Sequence, residues 1–390
     1  MLEFEYWWLL ALPLFFALGW LTARLDINQL LSESSALPAA YFRGLNFLIR
    51  EQHDKAIEAF IEAVQANTES LELHFALGSL FRRRGEIERA IHLHQGLLER
   101  PQLSDLQKTA IMAELANDFF KAGLFDRAEQ LFRTLCEAPS YQHSSLRSLL
   151  DIYIREREWS HAIATAAELE RESGVSFRKE IAQFHCELAA KALQAKDIAT
   201  ARQELETALH INKHCIRATV MQGEIAAAAG NTAEAAATWL HIEKQRPQYL
   251  GLVAARVLEA YRTIGQGEQG LQLLHGWVEK YKLPAVLSVV YETTLKEQGA
   301  EAAAQLARAE LAKKPSLNIL NQLLQARALE KTNDAEDVPL MQNTVHHFLG
   351  NSRSYCCEQC GFKARRYYWQ CPGCNGWETF PPEPREQPLR

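Results

Sequence analysis

The chain has 390 residues, room for two or three domains and a sizeable core. A composition of 47% hydrophobic and 23% charged residues is globular, and a net charge of −6 excludes the strong basic excess of a dedicated nucleic-acid binder. Of the eight cysteines, Cys136, Cys186 and Cys215 stand singly in helix-like stretches, the usage of a reducing compartment and not of a disulfide framework.

Residues 1–25 read MLEFEYWWLLALPLFFALGWLTARL, with a charge-free run from Tyr6 to Ala23 close to membrane-spanning length. Tyr6, Trp7, Trp8 and Trp20 stand near its ends, where interfacial aromatics sit. Pro13 and Gly19 are tolerated in membrane helices. A cleaved signal peptide needs a basic start and a small-x-small site, whereas Glu3 and Glu5 precede this run and no clear site follows. The expectation is an uncleaved transmembrane anchor, with a linker over 26–40. Arg24 and Arg43 follow the span and no basic residue precedes it, which places the body in the cytoplasm.

From residue 41 a helix–turn–helix frame repeats: YFRGLNFLIREQHDKAIEAFIEAV (41–64), then LHFALGSLFRRRGEIERAIHLHQGLL (73–98). Its alanine recurs as Ala56, Ala90, Ala128, Ala162, Ala201 and Ala235, at intervals of 34, 38, 34, 39 and 34. Twelve residues before each comes a small-residue slot: Gly44, Gly78, Ala116, Leu150, Ala189 and Gly223. Four residues after comes a bulky slot: Phe60, His94, Phe132, Ala166, Leu205 and Trp239. The interval is the tetratricopeptide period. Small residues bring two antiparallel helices close, and the bulky slot is expected to fill the gap to the next repeat. No repeat buries its apolar face alone, so the repeats stack. The predicted fold is therefore an all-α tetratricopeptide-repeat superhelix, with its array over 41–317 and capping helices over 318–350. Leu150, His94 and Ala166 fit their slots poorly. After Ala235 the pattern weakens, although 250–281 and 284–317 each suggest a helix pair with Gly270 and Ala303 in the alanine slot.

Within the array, Arg82, Arg83 and Arg84 end a first helix and read as a solvated helix end or as a contact for an acidic partner. Gly265, Gly267 and Gly270 spell GxGxxG, but a helix precedes them where a dinucleotide fold needs a strand. They belong to a turn between helices. His92, His94, His346 and His347 lack metal-ligand company in sequence, and there is no HExxH, nucleophile elbow or P-loop. The reading is a non-enzyme.

Cys357-x-x-Cys360 and Cys371-x-x-Cys374 are two knuckles ten residues apart. Each CxxC turn aims two thiolates at one centre, and two turns close a tetrahedron. Gly361 follows the first knuckle where a positive φ is wanted; Asn375, the next most tolerant residue, follows the second. Disulfides need an oxidising compartment, and a redox pair needs an α/β domain that is not visible. Residues 351–380 thus read as a four-cysteine domain whose metal ligands are Cys357, Cys360, Cys371 and Cys374, with Zn²⁺ or a single iron both suited to four thiolates. Cys356 is spare. Tyr355, Phe362, Tyr367, Tyr368, Trp369, Trp377 and Phe380 exceed what so small a module can bury. With Lys363, Arg365 and Arg366 they read as a nucleic-acid platform or, better, as a surface docked on the array or a partner. PPEPREQPLR (381–390) reads as a disordered tail.

"YFRGLNFLIREQHDKAIEAF", "LGSLFRRRGEIERAIHLHQ" and "CEQCGF…YYWQCPGC", in this order after an N-terminal anchor, resemble the lipopolysaccharide assembly protein B family of Gram-negative bacteria over essentially the whole chain. The resemblance implies a rubredoxin-like tab at Cys357, Cys360, Cys371 and Cys374, holding rubredoxin-type iron or Zn²⁺. It implies a single-pass protein of the cell inner membrane, with its body on the cytoplasmic side. It also implies an adaptor that promotes degradation of the lipid A pathway UDP-3-O-acyl-N-acetylglucosamine deacetylase by the membrane AAA+ zinc protease. An inner-membrane lipopolysaccharide-sensing protein and the lipopolysaccharide transport machinery are the further implied partners, without nucleic acid; a homo-oligomer is compatible. The alternatives from another class are a membrane-tethered scaffold with an RNA-binding or redox-associated four-cysteine module, and a periplasmic scaffold.

Overall fold

The structure, a computed structural model, describes residues 39–329 and 337–386. The anchor expected over 1–25 lies outside them, and among the described residues no helix is long and apolar enough to cross a membrane. The chain falls into two compact units, divided between Ile152 and Tyr153.

In the first unit α1 (Ala39–Ile49) pairs with α2 (His53–Ala66), α3 (Leu71–Arg84) with α4 (Ile87–Leu98), and α5 (Asp105–Ala122) with α6 (Phe125–Leu135). The division falls inside α7 (Pro139–Glu156). The second unit continues with α8 (Trp159–Ser173), α9 (Arg178–Gln194) paired with α10 (Ile198–Ile211), and α11 (Ile216–Ala228) paired with α12 (Thr232–Gln245). After a 3₁₀ turn at Pro247–Leu252 come α13 (Ala254–Thr263) with α14 (Gly267–Tyr281), α15 (Pro284–Glu297) with α16 (Ala300–Lys313), then α17 (Leu317–Leu329) and α18 (Val338–Ser352). The helix ends are written in the sequence. Ser104 and Gln107 form a reciprocal capping box at the start of α5, and Gly123 ends it in the left-handed region at φ +76°.

All six slot alanines are fully buried, as the period requires. The bulky slot does more than reach the next repeat, where Phe60 clusters with Leu77, Leu80 and Phe81. At the three glycine slots its side chain also lies on the small residue of its own pair: a Cβ added at Gly44 would stand 2.6 Å from the Phe60 ring, at Gly78 2.4 Å from His94, and at Gly223 2.2 Å from Trp239. The missing Cβ leaves a dent in the first helix, and the large ring of the second fills it. Gly265, at φ +77°, ends α13 in the turn expected of it.

His94 fits its apolar slot through a partner that the repeat pattern does not supply. The ring is fully buried and its Nδ1 bonds the buried Asp118 carboxylate of α5. Asp118 in turn accepts from Arg82 Nη1 at 2.6 Å, and Arg82 Nη2 reaches Glu114 at 2.6 Å. Arg82 is thus largely spent inside the first unit, its guanidinium held by Asp118 and Glu114. Arg84 pairs with Asp54 and Glu86, and Arg83 is exposed.

The dents make a paired expectation. Gly223→Ala forces Trp239 off its seat and should lower stability by about 1–3 kcal/mol. Gly96→Ala, at an exposed helical glycine with nothing within 4 Å, should raise it by roughly 0.5–1 kcal/mol. Denaturant melts of the two variants check the opposite signs.

Candidate metal centre

The last helix runs directly into β1 (Arg353–Cys356), the middle strand of a small antiparallel sheet with β2 (Lys363–Ala364) and β3 (Arg385–Glu386). Tyr355 and Cys356 pair with Ala364 and Lys363, so the first knuckle is the turn of a hairpin. The second is closed by a bridge between Gln370 and Trp377.

The two knuckles share one hydrogen-bond pattern. Cys357 N–H donates to Phe362 O at 2.9 Å, and Cys371 N–H to Gly376 O at 2.8 Å. Gly361 N–H donates back to Cys357 O and Asn375 N–H to Cys371 O, both at 2.9 Å. Closing each turn needs a left-handed residue, and Gly361 at φ +75° and Asn375 at φ +58° supply it. In both knuckles the first cysteine is buried while the second is nearer solvent. Cys356 lies outside the cluster, as its place next to Cys357 on an alternating strand requires, and its thiol turns to the Gly361 carbonyl at 3.7 Å.

The structure brings Cys357, Cys360, Cys371 and Cys374 together, their Sγ atoms all within 4.8 Å of one another. Cys357 to Cys374 and Cys360 to Cys371 are each 3.7 Å. A tetrahedron with metal–sulfur bonds of ~2.3 Å has edges of about 3.8 Å, so one closed tetrathiolate fits these residues.

Three of the seven surplus aromatics, Trp377, Trp369 and Tyr367, are spent on the array. Trp377 packs edge-on against the stacked rings of Trp159 and Phe184, with ring centroids at 6.2 and 6.1 Å, and Arg217 lies over its face. Trp369 stacks on Tyr249 at 6.2 Å and 5°, and Tyr367 meets the same ring edge-on. Beside Trp377, the Glu378 side chain is only 1% exposed; it accepts from Gln183 at 2.7 Å and from Arg246 at 2.9 Å. Glu383 accepts from the Ala285 N–H at the start of α15. The stretch after 381 was expected to be a disordered tail. Its described part differs: Arg385 and Glu386 pair with Ser354 and Arg353, because β1 still has an open edge there.

Sequence reasoning missed the receiving residues Trp159, Gln183, Phe184, Arg217, Arg246 and Tyr249, and with them the role of Glu378. This docking takes Trp377, Trp369 and Tyr367 out of the aromatic set that a nucleic-acid platform would use. Arg366 bonds the Tyr368 hydroxyl at 2.6 Å, and Phe362 is the large hydrophobic that the tab leaves 40% exposed among the described residues.

A family pattern described as a rubredoxin metal binding domain matches residues 355–382, and tetratricopeptide repeat patterns match 43–101 and 186–249. Lipopolysaccharide assembly protein B of Escherichia coli strain K12 is 30% identical over 96% of this chain and 97% of its own length. The chain belongs to the lipopolysaccharide assembly protein B family. The same-named protein of Haemophilus influenzae strain Rd is 29% identical, again over 96% of this chain and 97% of its own. In this member of the family Cys357, Cys371 and Cys374 ionise unequally. Burial opposes ionisation of Cys357, but the Thr379 hydroxyl at 3.2 Å and the N–H groups of Cys360 and Gln359 prevail and bring it down to about 6. At Cys371 burial wins and raises the thiol, and at Cys374 it raises it to about 12. Four thiolates this close repel one another, so only a cation at their centre lets all of them ionise.

Metal uptake must therefore release protons, and its affinity must fall with pH. Competition with a chromogenic chelator should show weaker retention at about pH 5.5 than at about pH 7.5, where Cys357 is already a thiolate. Cys371→Ser should abolish retention of one equivalent of metal, and Cys356→Ser should leave it unchanged, as read by elemental analysis. Trp377→Ala should free the tab from α8 and α9, seen as faster hydrogen exchange across 355–380 with the metal still bound.

Proposed function

We propose that this protein is a non-enzymatic adaptor of the cell inner membrane that restrains lipopolysaccharide biosynthesis. In this reading it presents the lipid A pathway deacetylase, UDP-3-O-acyl-N-acetylglucosamine deacetylase, to the membrane AAA+ zinc protease for degradation. The observation that carries it is the end-to-end match to lipopolysaccharide assembly protein B, including both the repeats and the cysteine tab. Residues 1–25 are the anchor and 26–40 the linker. Residues 41–317 form the partner-binding array, capped by 318–350, and residues 351–380 are the metal tab. Cys357, Cys360, Cys371 and Cys374 hold one iron or zinc ion, which supplies the folding energy that so small a module lacks. The lipopolysaccharide-sensing protein and the transport machinery of the same membrane are its further partners.

Tethering gives the proposal its physical logic. A scaffold held in the plane of a membrane protease meets it at an effective concentration far above that of a free adaptor. A body on the cytoplasmic side also suits Cys136, Cys186 and Cys215, which form no disulfide although the Cys186 and Cys215 sulfurs lie 3.8 Å apart.

Removing residues 1–25 should release the body from the membrane and lengthen the half-life of the deacetylase, measured by a translation-block chase. Unchanged turnover in cells carrying only the released form would defeat the tethering argument.

A further inference from the structure

The first described helix keeps one face uncovered by the other described residues. Ala39, Phe42, Arg43, Asn46, Ile49 and, one residue past its end, Arg50 follow helical spacing along one side, and Phe42, Arg43 and Arg50 are exposed with it. Phe42 and Ile49 are 55% and 81% exposed, although both are large and apolar. The opposite face is the one the fold uses: Ala40 and Gly44 are buried, and Gly44 receives the Phe60 ring of α2. The bare face is therefore not the seam of the helix pair.

Its chemistry is that of an interfacial helix. Phe42 and Ile49 line one edge of the face and Arg43 and Arg50 the other, with Asn46 between, and the sequence of α1, AAYFRGLNFLI, contains no acidic residue. Arg43 pairs with Glu62, but both side chains are more than half exposed, and an exposed pair of this kind exchanges readily for a phosphate. The chain before the helix fixes what can cover it. The apolar run of the sequence ends at Ala23 and α1 begins at Ala39, so residues 24–38, fifteen in number, join them. Fully extended they reach at most ~50 Å, so α1 stays within that distance of any bilayer that holds the run, and contact is within reach.

We propose that this face of α1 rests on an anionic lipid surface, with Phe42 and Ile49 entering the headgroup layer and Arg43 and Arg50 binding lipid phosphates. The inference rests on the membrane tether of the proposed function and goes beyond it: the first repeat is itself a membrane contact, so the array leaves the bilayer from a fixed face.

The test uses the full chain in nanodiscs of phosphatidylcholine with and without phosphatidylglycerol. A photo-crosslinking phenylalanine analogue replaces Phe42, Ile49 or, as a control, Leu106, another exposed apolar residue. The expected result is lipid adducts from positions 42 and 49 but not 106, more abundant with phosphatidylglycerol, and cut about fivefold by Arg50→Gln. Equal adducts from position 106, or adducts to a second copy of the chain in place of lipid, overturn the proposal. Extraction with alkaline carbonate separates the two readings. Release of the chain overturns the tether and the proposal with it, whereas retention without lipid adducts overturns the α1 face alone.

Discussion

The indole of Trp239 sits where a Cβ on residue 223 would be, its nitrogen donating to the Val220 carbonyl at 3.2 Å. Phe60 on Gly44 and His94 on Gly78 make the same close approach, which lets two helices of a pair share one layer of side chains. Everything built on the array follows from it. Paired helices meet at fixed depth, their alanines are sealed, and each pair offers its remaining apolar surface to the next. At His94 the filler is polar, and the consequence spreads. Its ring holds the buried carboxylate of Asp118, which requires the Arg82 guanidinium, which also takes Glu114. One polar residue in a packing slot has recruited a charge chain that joins α3, α4 and α5, and such a chain tolerates no missing member.

The cysteine tab poses the opposite problem, since it has too little core to need packing rules. Cys357, Cys371 and Phe380 are its innermost side chains, and a centre of four thiols cannot ionise fully without a cation. Its fold therefore rests on two outside agents, the ion that four sulfurs can hold and the array that covers Trp377 and Trp369. Glu378 shows how far the second dependence goes. A carboxylate with 1% exposure is costly unless compensated, and its compensation, Gln183 and Arg246, lies wholly on the array. That polar contact cannot slide, because a shift would leave a buried charge without its partners.

What the sequence made legible was whatever has a period or a fixed local spacing. The six alanines, the helix pairs and the turn at Gly265 were readable because each repeat states them again, and the paired knuckles because a CxxC turn is local, down to the left-handed Gly361 and Asn375. The tab's receiving surface was not readable. Gln183 and Glu378 are 195 positions apart, and neither departs from what an ordinary helix or turn would carry. The surplus of aromatics announced that something must cover them, but not that Trp159, Phe184 and Tyr249 would. Arg82 misled for a related reason: a basic residue in the last turn of a helix is common on electrostatic grounds, and the pattern does not tell that Asp118 waits one helix pair away.

A stack of repeats is quasi-one-dimensional, each pair touching only its neighbours, and small rotations between pairs add up along it. Within the second unit the tab breaks that rule. Trp377 is held by α8 and α9, Glu378 by α9 and by Arg246 just past α12, Trp369 and Tyr367 by Tyr249 of the 3₁₀ turn, and Glu383 by the first turn of α15. One small module thus ties pairs that are not neighbours, acting as a cross-brace along the stack. The brace is shaped by its four gathered cysteines, so residues far in sequence from the repeats place Trp377, Glu378 and Trp369 on parts of the stack that are not neighbours.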